Sequence, residues 1–321
     1  MPGRQSDAAL PGVHCLNKAP TNLPASVRQR LLNLASQSKQ DFGLLLTKYA
    51  LERLLYRLSV SKHRDAFVLK GALLFQLWTS EPYRPTRDLD LLGQGDGSAE
   101  RYRKIFTELC SQKVEDDGLT LLPDTIRVAR IRDEEEYEGV RILLGARIAN
   151  ARIPLQIDVG FGDVITPGPI ELEYPTLLSF PAPKLRAYSK ESVVAEKFEA
   201  MVKLGIANSR MKDFYDLWVM ARQFEFRGPV LSAAIKATFE RRRTALPSSK
   251  PLALTAEFGE APAKQTQWRA FLRKSGLNAS DSLSDVVKVL DRFLMPLVEG
   301  ITSNKTLGYT WRPGGLWKPS A

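Results

Sequence analysis

Cysteine and histidine are almost absent: the 321-residue chain holds only Cys15, Cys110, His14 and His63. With the two cysteines far apart and no CxxC or Cys/His cluster, a disulfide scaffold and a structural zinc are both excluded. Two histidines in or near polar segments supply neither an HExxH metal site nor an ordinary Ser-His-Asp triad. No apolar run approaches the roughly 18 residues needed to cross a bilayer. The opening segment MPGRQSDAALPGVHCLNKAP has no apolar core of the secretory kind, so the protein is expected to be cytoplasmic, with no membrane partner. At 44% hydrophobic and 26% charged residues, the composition is globular and excludes a disordered or collagen-like chain. Acidic residues are in the minority, 36 against 46 Lys and Arg, for a net charge of +10. That excess suits either a solvated surface or a polyanionic partner.

The length predicts two domains or one large one. Residues 1–23 read as a flexible leader. Leu31, Leu34, Leu45, Leu46, Tyr49, Leu54 and Leu58 recur at helical spacing, with Pro24 and Ser26 as start signals and Gly43 as a break between two helices. Short strands are predicted at Phe67 to Leu69 and Asp88 to Leu92, with a helix opening at Gly71 between them and another capped by Ser98. Strands follow around Thr125 to Ile131, Val140 to Ile148 and Leu155 to Val159. This order predicts an α/β (α+β) domain with a mixed sheet over residues 24–182. After Pro183 the pattern turns helical, which predicts a helical domain over 183–302. Residues 303–321, polar and rich in Gly and Pro, read as a loose tail.

The chemistry concentrates in Arg87-Asp88-Leu89-Asp90. In a strand, residues two apart share a face, so Asp88 and Asp90 stand side by side. Such a pair is either a solvated acidic strand end or a hard oxygen site suited to Mg²⁺. Upstream, Lys70-Gly71 leads from strand to helix, and backbone N–H groups at a helix start can hold phosphate. Downstream, Asp158 lies on a strand able to pair beside the first two acids. Asp163 reads as a turn residue. Val194, Phe198 and Met201 form an apolar helical stripe with Lys197 at its edge, either a snorkelling surface lysine or a point charge for a triphosphate. Asp213 and Asp216, three apart, share a helix face. Asp216 reads as a helix-surface acid, and Lys212 is placed to reach the acid site or phosphate. Arg241, Arg242 and Arg243 read as a basic strip.

The ordered segments VLKGALL, RPTRDLDLL, LQIDVGFGD and VVAEKFEAMVKLGIANSRMKDFYDLW closely resemble the AbiEii/AbiGii-type toxin nucleotidyltransferases, over roughly Leu31 to Pro296. The resemblance implies a polymerase-β-like nucleotidyltransferase core preceded by helices and followed by a helical domain. It implies Mg²⁺-dependent transfer of nucleotides from an NTP to RNA, the tRNA 3′ end in studied relatives, which blocks translation. It also implies a cognate antitoxin. Asp88 and Asp90 match the metal-binding acids and Asp158, more loosely, the superfamily's third carboxylate. Thr86 matches a Ser/Thr before the first acid, with Arg87 between them. Lys197 and Asp213 match the downstream catalytic lysine and aspartate, and Lys70 and Gly71 the nucleotide-phosphate turn. Ala72 departs from the small polar residue of many relatives, and Lys203 and Lys212 stand where many carry arginine. Transfer of a nucleotide onto a protein acceptor, and a binding module without turnover, are the alternatives.

Overall fold

A computed structural model describes residues 22–79, 84–132, 138–277, 281–305 and 308–319. The segment read as a leader falls outside these residues except for its last two. Two helices open the described chain, α1 (Leu23–Ser38) and α2 (Phe42–Ser59). The break between them is not at Gly43. Lys39 ends α1 in the left-handed conformation at φ 53°, and the Asp41 carboxylate caps α2 by accepting the Leu44 N–H at 2.7 Å. A side-chain cap and a left-handed residue satisfy the orphaned helix ends, so glycine is not needed there.

The sheet strands are β1 (Phe67–Lys70), β2 (Asp88–Gly93), β3 (Leu119–Arg132), β4 (Glu138–Ile148), β5 (Ala151–Phe161), β6 (Ile170–Glu173) and β7 (Lys184–Ala187). The short α3 (Phe75–Trp78) follows β1, and α4 (Ala99–Cys110) follows β2. Together the strands form one seven-stranded sheet in the order β3-β4-β5-β2-β1-β7-β6. The β2–β5 and β1–β7 pairs are parallel and the others antiparallel. The fold is thus the expected mixed α/β sheet with flanking helices. Because β7 joins the sheet, the change from strand to helix falls after Ala187, not at Pro183.

Period-two alternation divides β4 and β5 sharply. Val140, Ile142, Leu144, Ala146, Ile148, Ile153, Leu155, Ile157 and Val159 are all 3% exposed or less. Helices α1, α2 and α4 pack over that side of the sheet. A buried ion pair ties the layers, with Arg57 of α2 donating to both carboxylate oxygens of Asp117 at 2.7 and 3.1 Å.

Beyond the sheet come α5 (Lys190–Leu204), α6 (Met211–Gln223), β8 (Phe226–Arg227), α7 (Gly228–Arg241), α8 (Ala256–Glu260), α9 (Pro262–Ser275) and α10 (Leu283–Thr302). The segment predicted to be loose contains a hairpin, β9 (Tyr309–Arg312) and β10 (Leu316–Pro319), that joins β8 in a three-stranded sheet. Trp311 is fully buried, and its indole N–H donates to the Ala221 carbonyl at 2.6 Å, while Trp317 donates to that of Phe293 at 3.1 Å. Burial of these rings outweighs the flexibility of the Gly and Pro residues around them. Trp311→Ala is therefore expected to destabilise the protein by about 3–5 kcal/mol in denaturant titration. A loss under about 1 kcal/mol would show the hairpin to be a marginal appendage.

Candidate active site

Strand β2 lies between β1 and β5, and this sandwiching gathers the charged residues. Asp90 stands opposite Lys70 on one side and Asp158 on the other, and Asp88 stands opposite Gln156. Leu89 and Leu91 turn into the core at 1% exposure, which leaves Asp88 exposed and Asp90 half-buried on the opposite face. The chain turns immediately after Lys70 at Gly71, with φ +76°. A Cβ at that position would lie 2.0 Å from Oδ2 of Asp90. Glycine is required there both for the backbone conformation and for the carboxylate's room.

Among the described residues, neither the Asp88 nor the Asp90 carboxylate enters a hydrogen bond or ion pair. Burial raises the pKa of Asp88, and the neighbouring Asp158 raises it further, against Arg141, Lys212 and Arg84. Burial likewise raises that of Asp90. Lys70 and Lys212 oppose the rise there, while Asp158 and Asp88 add to it. The pair is therefore short of positive charge, and its chemistry is that of a hard-oxygen cation site. The residues fit a divalent cation held by these two aspartates.

Asp158 lies beside Asp90 as the sequence suggests, but its carboxylate has a different occupant. Arg141 of β4 grips it through Nε at 2.8 Å and Nη2 at 2.7 Å, and the Gln156 amide adds a bond at 3.2 Å. Among the described residues no group of three or more His, Cys, Asp or Glu side chains is gathered to hold a metal. Asp158 thus positions Arg141 beside the acid pair instead of completing a three-carboxylate cage.

Lys70 is also engaged. Its ammonium lies 3.0 Å from Asp163 and 3.6 Å from Glu196. Arg242 completes this cluster, 3.0 Å from Asp163, 3.4 Å from Glu196 and 2.9 Å from Glu199. Asp163, which looked like a turn residue, therefore joins two cations from distant elements. Burial alone would raise its carboxyl, but Lys70 and Arg242 pull it down to about 2. The Arg241–Arg243 strip does not exist as such, because Arg242 is turned inward and Arg241 donates to the Gly162 carbonyl.

The third cluster joins α5 to α6. Lys197 lies 2.7 Å from Asp213 and 2.8 Å from Asp216, with its side chain only 14% exposed. It is a buried counterion, not a snorkelling rim residue. Asp216, expected on the helix surface, is fully buried. Arg84 clasps it through Nε at 2.7 Å and Nη2 at 2.8 Å, and Arg210 lies 2.7 Å from Asp213. Burial alone would raise both aspartates, yet Lys197, joined by Arg210 at Asp213 and Arg84 at Asp216, holds them below the usual carboxylate range. Arg84 also acts electrostatically on Asp88, so this cluster reaches the acid pair through Arg84. Lys212, on the exposed side of α6, forms no ion pair among the described residues and acts on both Asp88 and Asp90.

Thr86 directs its hydroxyl to the Asp88 carbonyl at 3.4 Å, and Arg87 is exposed and 3.5 Å from Asp41. Arg84 and Arg141 were not singled out in the sequence. Arg141 had one available signal, its place in an alternating strand where the neighbouring positions are apolar.

A family model described as nucleotidyl transferase AbiEii toxin, type IV TA system, matches residues 53–292. Among solved structures, that of JHP933 from Helicobacter pylori is 13% identical with a TM-score of 0.49, covering 81% of this chain and 94% of that one. A structure described as a candidate nucleotidyltransferase from H. pylori gives 13% identity and a TM-score of 0.49, covering 81% of this chain and 97% of that one. None of the curated proteins matches the chain.

Two outcomes test this geometry. Gly71→Ala is expected to lose about 1–2 kcal/mol from left-handed strain and more from contact with Asp90. Adding Asp90→Ala removes the carboxylate but leaves the Cβ of residue 90 2.7 Å away. It should recover part of the second component and none of the first, and a strictly additive pair of denaturant titrations would refute the close approach. The lowered carboxyls of Asp213 and Asp216 contribute stability that is complete above the unfolded carboxylate pKa of about 4 and lost as pH falls through the folded values. Asp216→Asn should thus cost about 3–5 kcal/mol at neutral pH, with the gap to wild type narrowing below about pH 4. A gap independent of pH would contradict the ionised assignment.

Proposed function

Because the chain belongs to the nucleotidyl transferase AbiEii toxin family of type IV toxin–antitoxin systems, we propose that it adds nucleotides from an NTP to the 3′ end of an RNA, with tRNA as the acceptor and Mg²⁺ as the metal. The protein is a nucleotidyltransferase of a class that works with a divalent metal and beside a cognate antitoxin. The single observation that supports the catalytic reading is the unpaired state of Asp88 and Asp90 amid acids that are paired.

In this reading the acceptor hydroxyl oxygen forms a bond to the α-phosphorus as the bond to pyrophosphate breaks. A divalent cation, when bound by Asp88 and Asp90, supplies charge neutralisation and a lower pKa for the attacking hydroxyl. Lys212 is placed to face the triphosphate, since its ammonium is exposed and lacks an ion-pair partner among the described residues. Arg141, fixed by Asp158, holds a second positive charge at the same edge, of the preorganised kind that acts as charge develops on the leaving group. Lys197, assigned to phosphate by family resemblance, acts here by holding Asp213 and Asp216, and through them α6 and Arg84. Lys70 has the corresponding place behind Asp90.

The test is incubation with each α-labelled NTP and Mg²⁺, in the presence of deacylated tRNA or of lysate protein. Label is expected in RNA. Label confined to protein would overturn the acceptor assignment. Asp90→Asn should abolish transfer while the protein remains folded, and Lys212→Ala should lower the rate on the order of 10²-fold. Full activity of Asp90→Asn would remove the acid pair from the reaction.

A further inference from the structure

The face of the sheet that bears Asp88 and Asp90 continues across three more strands, where Arg127, Leu143, Arg147 and Arg152 stay exposed among the described residues. Register places Asp88, Gln156, Leu143 and Arg127 in one cross-strand row, and Asp90, Asp158, Arg141 and Ala129 in the next. Farther along β5, Arg152 stands directly opposite Arg147 on β4, and Thr120 of β3 stands beside Arg147. Arg127, Ala129, Leu143, Arg147, Arg152 and Pro154 are all exposed. Helices α1, α2 and α4 cover the opposite side.

Beyond the acid pair, on β3, β4 and β5, the charge of this face is of one sign. Its acid on β5, Asp158, is neutralised by Arg141, and Asp124 lies in the β3 irregularity between Leu122 and Arg127, outside the register. Among the described residues Arg127, Arg147 and Arg152 make no hydrogen bond or ion pair. The Arg147–Arg152 pairing is the more telling. Like charges directly opposite one another weaken an antiparallel pair, and nothing within the described chain offsets this one. Leu143, 43% exposed, is the large apolar residue of the same surface. At about 4.8 Å between strands and about 3.3 Å per residue, Arg127 lies about 14 Å from Asp88, and Arg152 about 13 Å from the Gln156 row.

We propose that the open face of β3, β4 and β5 is the docking surface for the sugar–phosphate backbone of the acceptor RNA, with Arg127, Arg147 and Arg152 as its phosphate contacts. This rests on the RNA reading of the acceptor. The surface leads directly to the acid pair, so a strand lying along it delivers its terminal hydroxyl to Asp88 and Asp90. Arginine suits this task because its planar fork binds phosphate oxygens and is held without loss of charge. An acidic face of the antitoxin is the competing occupant.

The experiment uses the full chain with Arg127→Gln, Arg147→Gln and Arg152→Gln combined. Binding of fluorescein-labelled deacylated tRNA, and of a labelled single-stranded oligoribonucleotide, is followed by anisotropy over a range of salt concentrations. Three lost phosphate contacts should reduce the slope of log K against log salt by about 2, at roughly 0.7 per contact. In transfer assays KM for RNA should rise with kcat little changed, and binding of NTP alone should match wild type. The single variant Arg147→Thr should melt above wild type, since it removes the like-charge pair, and this keeps the test readable if the triple variant folds poorly. An unchanged slope in the triple variant would overturn this surface while leaving the RNA reading intact. Failure of the wild-type protein to bind either RNA would overturn both. Loss of antitoxin binding with RNA binding preserved would assign the face to the antitoxin instead.

Discussion

A carboxylate withdrawn from water keeps its charge only when cations stand close by, and the organisation of this protein follows from applying that requirement unevenly. Lys70 and Arg242 stand among Asp163, Glu196 and Glu199, two cations to three acids, and hold Asp163 ionised while burial raises the Glu196 carboxyl. Lys197, Arg84 and Arg210 neutralise Asp213 and Asp216. Arg141 neutralises Asp158. Among the described residues Asp88 and Asp90 are left without an ion pair, on a strand held between two others. Of the cations that act on them, Lys70, Arg141 and Arg84 are committed elsewhere while Lys212 is not. The imbalance is local and deliberate in its geometry: the surrounding clusters fix the framework, and the two unpaired acids hold an unmet demand for positive charge. A divalent cation is the species that meets it, since hard oxygen ligands and a net negative pair favour a small doubly charged ion.

The clusters also explain how distant parts of the chain are brought to one place. Arg84 and Asp216 are 132 residues apart, and Lys70 and Asp163 are 93 apart. Arg84 precedes β2 and Asp216 lies on α6, while Lys70 ends β1 and Asp163 follows β5, so each pair fixes an approach to the acid pair that no local turn could fix. Breaking one partner strands a buried charge, which costs far more than the pair contributes over a hydrophobic equivalent. Such contacts specify one arrangement more than they add to its stability. The energy for folding comes from apolar burial, both where β4 and β5 meet α1, α2 and α4 and among the later helices around Phe198, Phe214, Trp268 and Phe293.

The parts that were legible in the sequence were those governed by short periods. The two-residue spacing of Asp88 and Asp90 is a property of any strand, so the acids' shared face followed at once. The patterns at Val140 to Ile148 and Leu155 to Val159 likewise gave strands, the second of which extends to Ala151–Phe161 in the fold, and Ser98 marked a helix start. What was hidden depends on long-range pairing. Nothing local distinguishes Asp163 from a turn aspartate, because its partners lie on β1 and beyond α7. Lys197 sits at the edge of the Val194, Phe198 and Met201 stripe, where lysines ordinarily reach solvent. Only the packing of α6 against α5 reveals that Asp213 and Asp216 close over it. Arg241 to Arg243 are uniform in composition, yet Arg241 and Arg242 both reach back to Gly162 and Asp163 beyond β5. The hairpin near the C-terminus carried a usable signal, Trp311 and Trp317 flanking Gly314 and Gly315, both at positive φ. Weighing its Gly and Pro content above its aromatics obscured that signal.

The two faces of the sheet divide stability from function, and the division has a physical logic. On the covered face every second residue of β4 and β5 is apolar and buried, which fixes register so firmly that a slip by one residue would exchange core for solvent. With register set from one side, the other side does not have to be apolar. The open face can then carry Arg147 opposite Arg152, an arrangement that a marginal sheet would not sustain, and can leave Asp88 and Asp90 without partners. Both features are unfavourable in the free protein and both are relieved by ligands of opposite charge: cations at the aspartates, anions at the arginines. The polarity along the surface therefore runs from an acid pair that attracts metal to a basic field that attracts phosphate. A nucleotidyltransferase acting on a polyanionic acceptor needs these two charge environments adjacent to each other, and a single rigid sheet face places them at a fixed separation.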